Sequence, residues 1–405
     1  MKETRVIFDS LGERLPEEVF GSLPSPVYVI DEAALKRNGE ILAGVAERTG
    51  AKILLAQKAF SNYDFYPLLA PYLAGTEASG LYEARLGKEE MPDGEVHVFS
   101  AAFRDDEMEE LFRYADHIVF NSPSQLKRFG KRAKDAGKSV GIRLNPEYST
   151  QEGHDIYDPC APGSRLGTTR ALWDREMTPE LIDLLEGVHF HTLCEQDATD
   201  LVPTFQAVKE TFGDLLGRMK WINMGGGHHI TREDYHLNLL EDVILDAKET
   251  YNVEVYLEPG EAVALNAGYF ITRVLDLLEN SGQHIAILDG SAACHMPDVI
   301  EMPYTPPLYG ATETEETTPK AAHSYRLAGP TCLSGDNVAT YTFDHVLSFG
   351  ELLCFGDMAI YTTCKNNTFN GMALPNIWKR GLDGSFTRLT DFSYDDFKMR
   401  LGTRK

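Results

Sequence analysis

The sequence has few basic residues for its length. Its 405 residues include 38 lysines and arginines against 62 aspartates and glutamates, a formal net charge of -24. Such a charge disfavours binding to nucleic-acid phosphates, so we expect no nucleic-acid partner. The charge is compatible with a positively charged ligand, although an ordinary acidic surface is the simpler explanation.

Long apolar runs, paired cysteines and a signal-peptide pattern are also missing. No apolar run approaches the roughly 18 residues that span a membrane, so we expect no membrane association. The N-terminal MKETRVIFDS does not have the order of segments that defines a signal peptide. The six cysteines form no CxxC pair; they are residues 160, 194, 294, 332, 354 and 364. Reduced thiols in the cytoplasm are the expectation that fits these features.

The sequence does contain a regular series of eight short apolar runs. They cover residues 53–57, 75–79, 96–100, 117–121, 140–145, 188–193, 221–225 and 253–259. Amphipathic stretches such as 106–115 and 124–137 separate most of them and are predicted to be helices. Eight strands alternating with helices predict an α/β protein with a (β/α)₈ TIM-like barrel. An open doubly wound sheet is the alternative, because a sequence does not show whether a sheet closes.

The segments on either side of this region have a different pattern. Helical periodicity fades after residue 262, and β-rich runs follow at 269–279, 284–290, 323–329 and 351–363. The N-terminal run 26–35 is typical of a strand leading into a helix. We therefore predict a barrel over 45–262 and a second, β-rich domain built from 1–44 and 263–405. The acidic, threonine-rich residues 310–320 are predicted to form an exposed loop.

The stretch VHFHTLCEQD, residues 188–197, contains two histidines, a cysteine and a glutamate. Val188 and Phe190 alternate with His189 and His191, which is the period of a strand, so both histidines share one face. Two ligands at this spacing could hold a transition metal. A histidine in a strand is more often a hydrogen-bonded structural group, and the stretch alone does not decide between the two.

Functional residues in such a barrel collect at the carboxyl ends of the strands. Lys58 ends the first strand, Gly225, Gly226 and Gly227 follow the seventh, and Glu258 ends the eighth. A desolvated lysine can form a Schiff base, glycine amides can bind a phosphate, and a glutamate can pair with a protonated pyridine nitrogen. Together these groups predict a site for pyridoxal 5′-phosphate.

Three further residues at strand ends belong to this predicted site. His191 ends the sixth strand, where a neutral imidazole could lie against the pyridine ring, so we favour stacking over metal binding. Arg143 and Gly260 end the fifth and eighth strands and are expected to contact the cofactor, although Arg143 could instead form a simple ion pair. His228 and His229 again suggest zinc, but no other cysteine or histidine has supporting spacing, so we expect no metal.

Over nearly its whole length the chain resembles the fold-type III, alanine-racemase-like pyridoxal-phosphate decarboxylases. Within that group it is similar to the carboxynorspermidine and carboxyspermidine decarboxylases. The motifs that carry the resemblance are LLAQKAFS, FHTLCEQ, NMGGGHHIT, EPGEAV, CHMPDVIEMPYTP, GPTCLSGD and YTTCKNNTFNG. The resemblance implies a polyamine-biosynthetic enzyme that uses pyridoxal 5′-phosphate to release carbon dioxide and norspermidine or spermidine.

The resemblance also implies roles for individual residues. Lys58 would carry the cofactor, His191 would stack on its ring, and Glu258 would pair with the pyridine nitrogen. Tyr361 and the three glycines would bind the phosphate. Cys332 matches a cysteine that reaches across a dimer interface toward the partner's cofactor and is the implied proton donor. A homodimer with shared active sites is therefore expected, with an inert buried thiol as the alternative for Cys332.

One position departs from the wider group. Related decarboxylases of ornithine, arginine and diaminopimelate commonly have Glu-Pro-Gly-Arg, with the arginine on the phosphate, whereas Glu261 occupies that place in this chain. A carboxylate there needs a positive partner, which a polyamine substrate supplies. Asp289 and Asp298 are predicted as further anions for the substrate's amines, although Asp298 could instead cap a turn after Pro297.

Two other functions are compatible with the motifs. Decarboxylation of diaminopimelate or arginine uses the same chemistry, but Glu261 in place of arginine argues against it. A non-catalytic binding or regulatory relative would keep the fold without the cofactor. Lys58 and the intact phosphate-binding motifs argue against a non-catalytic relative.

Overall fold

The computed structural model describes residues 22–151, 157–314 and 323–403. Its strands are β1 (Val27–Asp31), β2 (Lys52–Ala56), β3 (Gly75–Ala78), β4 (Glu95–Phe99), β5 (His117–Phe120), β6 (Ser139–Arg143), β7 (Gly187–His189), β8 (Trp221–Asn223), β9 (Glu254–Leu257), β10 (Gly268–Asn280), β11 (Gln283–Leu288), β12 (Ala311–Glu313), β13 (Ser324–Ala328), β14 (Asn337–Phe343), β15 (Leu352–Gly356), β16 (Asn376–Arg380) and β17 (Phe386–Arg388). Its helices are α1 (Glu32–Thr49), α2 (Tyr66–Leu69), α3 (Leu81–Glu90), α4 (Met108–Tyr114), α5 (Pro123–Asp135), α6 (Arg170–Glu176), α7 (Pro179–Ile182), α8 (Ala198–Leu216), α9 (Leu237–Tyr251), α10 (Glu261–Ala264), α11 (Ala292–His295), α12 (Asp298–Glu301) and α13 (Tyr394–Met399). Within these described ranges, no helix has both the length and the apolarity needed to cross a membrane.

Strands β2 to β9 form a closed barrel in which neighbouring strands are parallel. Each of the eight apolar runs overlaps one of these strands, so the barrel prediction is confirmed and the open-sheet alternative is wrong. Most strand residues are buried, as in β3, where all four are. Burial on both faces explains why the runs are nearly continuous rather than alternating. The barrel belongs to a compact unit that spans Lys36–Val263.

The other compact unit consists of the described residues before residue 36 and after residue 263. Its nine-stranded sheet has the order β12–β14–β13–β11–β10–β1–β16–β17, and β15 pairs with β10 off this path. Strand β1 pairs antiparallel with β10 and parallel with β16, so both ends of the chain contribute to one sheet, as predicted. The units divide after residues 35 and 263, whereas the sequence placed the boundaries after residues 44 and 262. No turn signal marks a division inside α1.

Two predictions for this second unit are wrong in part. The run 351–363 contains only strand β15, because Asp357 and Tyr361 adopt φ values of 54° and 49°, which a strand does not accommodate. The predicted loop 310–320 begins with strand β12, which pairs with β14, and residues 315–320 lie outside the described ranges. A three-residue, largely exposed edge strand has too short a pattern to be recognised in a sequence.

A cluster of polar side chains lies near the amino-terminal ends of the barrel strands. Lys52 Nζ is 2.6 Å from Glu95 Oε1, and the Tyr256 hydroxyl donates to Glu95 Oε2 over 3.0 Å. His97 Nε2 is 3.1 Å from the same Oε2. The rings of His97 and His117 stack with their centroids 3.9 Å apart and their planes 10° apart. Both oxygens of the Glu95 carboxylate therefore have donors at hydrogen-bonding distance.

Glu95, His97 and His117 are also the group in the described part of the chain that is close enough to hold a metal ion. A shared metal would lie in the plane of each imidazole, on the lone pair of its nitrogen. Two nearly parallel, stacked rings do not point their lone pairs at one position. The ammonium of Lys52 also competes for the carboxylate. The geometry favours a structural ion-pair network.

This cluster predicts a dependence of stability on pH. Burial, with a contribution from the charge of His97, lowers the pKa of His117 to about 3. In the unfolded chain the same imidazole titrates at a pKa of about 6.5. Between these values the unfolded state binds more protons, so the free energy of unfolding falls as the pH falls. We predict that His117→Asn flattens this slope by up to about 1.4 kcal/mol per pH unit.

Urea unfolding at a series of pH values below about 6.5 measures this slope. His236→Asn is the matched control, because the His236 side chain is 59% exposed and its replacement should change the slope less than His117→Asn does. Equal slopes for the wild type and His117→Asn would contradict the prediction.

Candidate active site

The cofactor residues predicted for the barrel all follow the carboxyl ends of its strands. They are Lys58 after β2, Arg143 at the end of β6, His191 after β7, Gly225, Gly226 and Gly227 after β8, and Glu258 and Gly260 after β9. The carboxyl ends of strands in a closed parallel barrel share one face. The structure therefore brings these predicted residues to the same end of the barrel.

Glu258 is a buried carboxylate held by two donors. The His189 Nε2–H donates to Oε2 over 3.0 Å, and Asn223 Nδ2 donates to Oε1 over 2.5 Å. Burial is the largest single influence and would raise the pKa of Glu258, but the interactions with His189, His97 and Asn223 together lower this pKa below its ordinary value. Glu258 is thus an anion at neutral pH. Of the two roles that the sequence left open for His189, the hydrogen bond to Glu258 fits the structural one. No role was predicted for Asn223.

A second carboxyl group, Glu77 at the end of β3, is in the opposite state. Burial and the negative charge of Glu258 raise the pKa of Glu77 well above its ordinary value, although the charge of Lys58 partly opposes them. Glu77 is therefore neutral where Glu258 is ionised. This separation of two nearby carboxyl groups is typical of functional sites. In the sequence, Glu77 could have been noticed as the one charged residue of a short strand, Gly-Thr-Glu-Ala.

His191 presents a neutral ring at this end of the barrel. Its Nδ1 accepts a hydrogen bond from the Gly226 N–H over 2.8 Å, which places the ring proton on Nε2. Burial, followed by the positive charges of Lys58 and Arg143, lowers the pKa of His191 well below its ordinary value. A fixed, uncharged imidazole fits the predicted stacking role.

The three glycines allow strand ends to approach closely. A Cβ atom on Gly225, Gly226 or Gly227 would lie 2.6, 2.2 or 1.8 Å from the nearest backbone oxygen, respectively. Gly225 and Gly227 also have φ values of 70° and 83°, which favour glycine. These positions therefore need glycine for packing, whether or not a phosphate binds there.

The amides of the same glycines have different partners. The Gly225 N–H donates to Asn223 Oδ1 over 2.9 Å, and the Gly226 N–H donates to His191. Among the described residues, the Gly227 N–H has no such acceptor. The sequence predicted three amides for a phosphate, whereas the structure commits two of them to acceptors within the protein.

Lys58 lies in the turn after β2, between the buried residues Gln57 and Ala59. The side chain of Lys58 is exposed, so the expectation of a desolvated amine is wrong for this structure. The reason is that the buried strand β2 ends two residues earlier. The charge of Lys58 still acts on the buried Glu77 and on His191. A Cβ atom on Gly260 would lie 2.6 Å from Ala59 Cβ, so only a glycine lets the end of β9 pass this close to the Lys58 turn.

Arg143 is a buried cation that supports His191. Its Nη2 donates to the His191 backbone oxygen over 2.8 Å, and its guanidinium lies 4.7 Å from the centre of the Phe99 ring. Burial lowers the pKa of Arg143 to about 10, so it stays charged at neutral pH. Within the described chain Arg143 forms no salt bridge, so the simple ion-pair alternative is wrong.

Glu261 has a partner within the barrel unit. Its Oε2 is 2.8 Å from His229 Nε2, and both side chains are largely buried. His228 points to a different partner, since its Nδ1 is 2.6 Å from the Tyr235 hydroxyl. The two adjacent histidines therefore contact different side chains and do not converge on one position, which argues against the zinc interpretation. From the sequence, the positive partner of Glu261 was predicted to be an amine of the substrate.

The acidic residues predicted for substrate binding in the second unit also have protein partners. Asp289 Oδ1 accepts from the Thr272 hydroxyl over 2.6 Å and from the Arg273 N–H over 2.8 Å. Asp298 forms a salt bridge with Lys365, whose Nζ also lies 2.5 Å from Glu301 Oε2. Asp298 is the first residue of α12, and the residue before it, Pro297, is the N-cap.

Cys332 is exposed on a loop of the second unit, so the buried-thiol alternative is wrong. Its backbone N–H donates to Asn370 Oδ1 over 3.3 Å. The neighbouring apolar side chains Leu333 and Phe369 are 43% and 48% exposed. Tyr361, predicted to bind the phosphate, lies in the turn region after β15 in the same unit.

Comparison with known proteins extends these findings. Residues 27–359 match the family described as "Pyridoxal-dependent decarboxylase, C-terminal sheet domain". The carboxynorspermidine/carboxyspermidine decarboxylase of Campylobacter jejuni is 40% identical over 390 residues, which cover 94% of this chain and 99% of that protein. The carboxyaminopropylagmatine decarboxylase of Synechocystis is 37% identical over 384 residues, which cover 94% and 96%. The solved structure of carboxynorspermidine decarboxylase complexed with norspermidine, from Campylobacter jejuni, has a TM-score of 0.84 at 38% identity and covers 93% and 100% of the two chains.

Proposed function

The chain belongs to the pyridoxal-dependent decarboxylases, and we propose that it removes carbon dioxide from carboxynorspermidine, carboxyspermidine or both to release norspermidine or spermidine. The observation that carries this proposal is the 40% sequence identity, over nearly the whole chain, to an enzyme of that activity. The arrangement of charges at the carboxyl end of the barrel supports it independently.

That end of the barrel fits pyridoxal 5′-phosphate. When bound, this cofactor supplies an electron sink for the electron pair that remains when carbon dioxide departs. Glu258 would keep the pyridine nitrogen protonated, because it is held as an anion by His189 and Asn223. His191 would lie against the ring as a neutral imidazole. Lys58 would hold the cofactor covalently before the substrate's amine replaces it.

The phosphate would be bound by fewer glycine amides than the sequence suggested. The Gly227 N–H is the donor that the described structure leaves available, and Gly260 and Tyr361 are the further proposed contacts. Arg143 would act indirectly, by holding the backbone of His191. Neither Glu261 nor His229 supplies the guanidinium that the wider family commonly has at this place.

Cys332 would return a proton to the carbon that has lost carbon dioxide, with its thiol as the donor. We place this step in the neighbouring subunit, as the family resemblance implies. The exposed Leu333, which follows Cys332, and the exposed Phe369, which precedes its hydrogen-bond partner Asn370, support a partner surface, because apolar side chains of this size are commonly buried at interfaces. The proposal is therefore a homodimer with shared active sites.

The distal amines of the substrate need carboxylates. Asp298 and Glu301 both lie against the ammonium of Lys365, and these three side chains carry one more negative charge than positive charge. A substrate ammonium would compensate this charge. We propose Asp298, Asp289 and Glu261 as these anions, and each of the three also has a partner within the protein.

Decarboxylation of diaminopimelate or arginine is the alternative within the same chemistry, and the missing arginine at Glu261 argues against it. A non-catalytic relative would have no use for Lys58 at the same end of the barrel as an ionised Glu258. A guanidinium-ended substrate is a further competitor, because one relative is a carboxyaminopropylagmatine decarboxylase.

Steady-state kinetics of the purified protein with pyridoxal 5′-phosphate test the substrate. We expect kcat/KM for the carboxylated triamines to exceed that for diaminopimelate, arginine and ornithine by at least about a hundredfold, since each buried charge-assisted contact is worth roughly tenfold or more. The two triamine precursors differ by one methylene, worth about 1 kcal/mol, so they should differ by less than about tenfold. A preference for diaminopimelate, arginine or carboxyaminopropylagmatine would refute the proposal.

Borohydride reduction of the holoenzyme tests the cofactor lysine. Peptide mapping should place the reduced cofactor on Lys58, and Lys58→Ala should lose both this label and turnover. Lys88→Ala is a matched control, because Lys88 lies on helix α3 of the same unit and should keep both. A label on any other lysine would contradict the assignment.

Asp298→Asn tests the proposed amine contact. Losing one charge-assisted contact should lower kcat/KM for the carboxylated triamines about ten- to a hundredfold, mainly through KM, with cofactor absorption unchanged. Asp276→Asn is the control, because Asp276 is an exposed carboxylate on strand β10 of the same unit. Normal turnover by Asp298→Asn, or loss of its cofactor, would remove Asp298 from the amine site.

A further inference from the structure

Asp336 is a buried carboxylate at the end of the Cys332 loop, which we define as residues 329–336. It is 3% exposed. The Ser291 hydroxyl lies 3.0 Å from Oδ1 and 2.9 Å from Oδ2, and the Thr331 hydroxyl donates to Oδ2 over 2.6 Å. The Ala293 N–H donates to Oδ1 over 3.1 Å. Hydroxyl and amide donors therefore replace the water that this carboxylate has lost.

No lysine or arginine of the described chain pairs with Asp336, so the donors alone stabilise its charge. Burying a carboxylate without a cation is costly unless its donors keep good geometry. The carboxylate therefore constrains the segments that carry those donors. One donor, Thr331, is the residue immediately before Cys332.

The loop backbone is shaped around this side chain. A Cβ atom on Gly329 would lie 2.2 Å from Asp336 Oδ2, so a larger residue would displace the carboxylate. The Gly329 N–H donates to the Asp336 backbone oxygen, and the Asp336 N–H donates to the Leu333 oxygen, both over 2.9 Å. These two backbone hydrogen bonds therefore join the first residue and the middle of the loop to Asp336.

The same network reaches the other side of Cys332. Ser291 caps helix α11, and its hydroxyl accepts from the Cys294 N–H over 3.1 Å. Asn367 donates from its side chain to the Ala293 oxygen over 2.8 Å. Three residues later, Asn370 accepts the Cys332 N–H. The α11 turn therefore connects the base of the loop with the segment that holds its tip.

We propose that Asp336 is a positioning residue that fixes the Cys332 loop, and with it the direction of the Cys332 thiol. Its consequence for turnover rests on the proposed function, in which this thiol gives a proton to the reacting carbon. Displacing a catalytic group by about 1 Å can cost roughly a hundredfold in rate. Asp336 acts on this step through the loop, without touching the substrate.

The test compares Asp336→Asn with the wild-type holoenzyme. An amide in place of the carboxylate turns an N–H group toward the hydroxyl and amide donors, so the loop should loosen. Hydrogen exchange in peptides covering 329–336 should become at least about tenfold faster. In the same variant kcat should fall about ten- to a hundredfold, while KM and cofactor absorption change little.

Asp31→Asn is the matched control. Asp31 is a buried carboxylate of the same unit, 5% exposed, that accepts from the Ala33 N–H and pairs with Arg380. The Asp31→Asn substitution should destabilise the protein without accelerating hydrogen exchange in the Cys332 loop. Equal acceleration by both variants would mean that Asp336 is only a general stabilising residue, which would overturn the proposal.

Two further outcomes separate this inference from the proposed function. Unchanged loop exchange in a folded Asp336→Asn protein would overturn the positioning role. Faster exchange with unchanged kcat would support the positioning role and remove Cys332 from the reaction. If Asp336→Asn does not fold, Thr331→Val removes one donor and keeps the side-chain shape. It should accelerate loop exchange in the same direction by a smaller factor, and no acceleration would again overturn the proposal.

Discussion

The ionised carboxylate of Glu258 is the constraint on which the candidate active site depends. Burial opposes its charge, so donors must reach it from neighbouring strands, and His189 on β7 and Asn223 on β8 supply them. Asn223 in turn accepts the Gly225 N–H, and the Glu258 N–H donates to the Gly225 oxygen. Three consecutive strand ends must therefore lie close together. Glycines after β8 are the residues that leave room for this.

The same constraint explains the charges of the surrounding groups. With Glu258 ionised, a second buried carboxylate would be repelled, so burial and this charge raise the pKa of Glu77 well above its ordinary value. Burial likewise lowers the pKa of His191, which leaves its ring neutral. The site thus presents one fixed anion and one uncharged aromatic ring. An anion and an uncharged aromatic ring are the partners that a protonated pyridine ring requires, so the site's charges are consistent with the chemistry of the family.

The site was predictable from the sequence where it depends on strand position, and unpredictable where it depends on partners far apart in the chain. Glu258, His191 and the glycines were recognised because apolar runs locate strand ends. The partner of Glu261 lies 32 residues away at His229, and that of Asp298 lies 67 residues away at Lys365. Asp336 was not selected at all, because nothing in GPTCLSGD indicates that its last residue is buried beneath the loop.

By itself the sequence determined the number and order of the barrel strands, the β-rich unit made from both ends of the chain, and the resemblance to a decarboxylase family. Local periodicity encodes these features, because the burial of each strand depends on its own side chains. The tertiary structure alone decided that the sheet closes, that Lys58 is exposed, and that Glu258 is charged while Glu77 is not. These properties follow from desolvation and from hydrogen bonds between distant segments, and neither exists until the chain has folded.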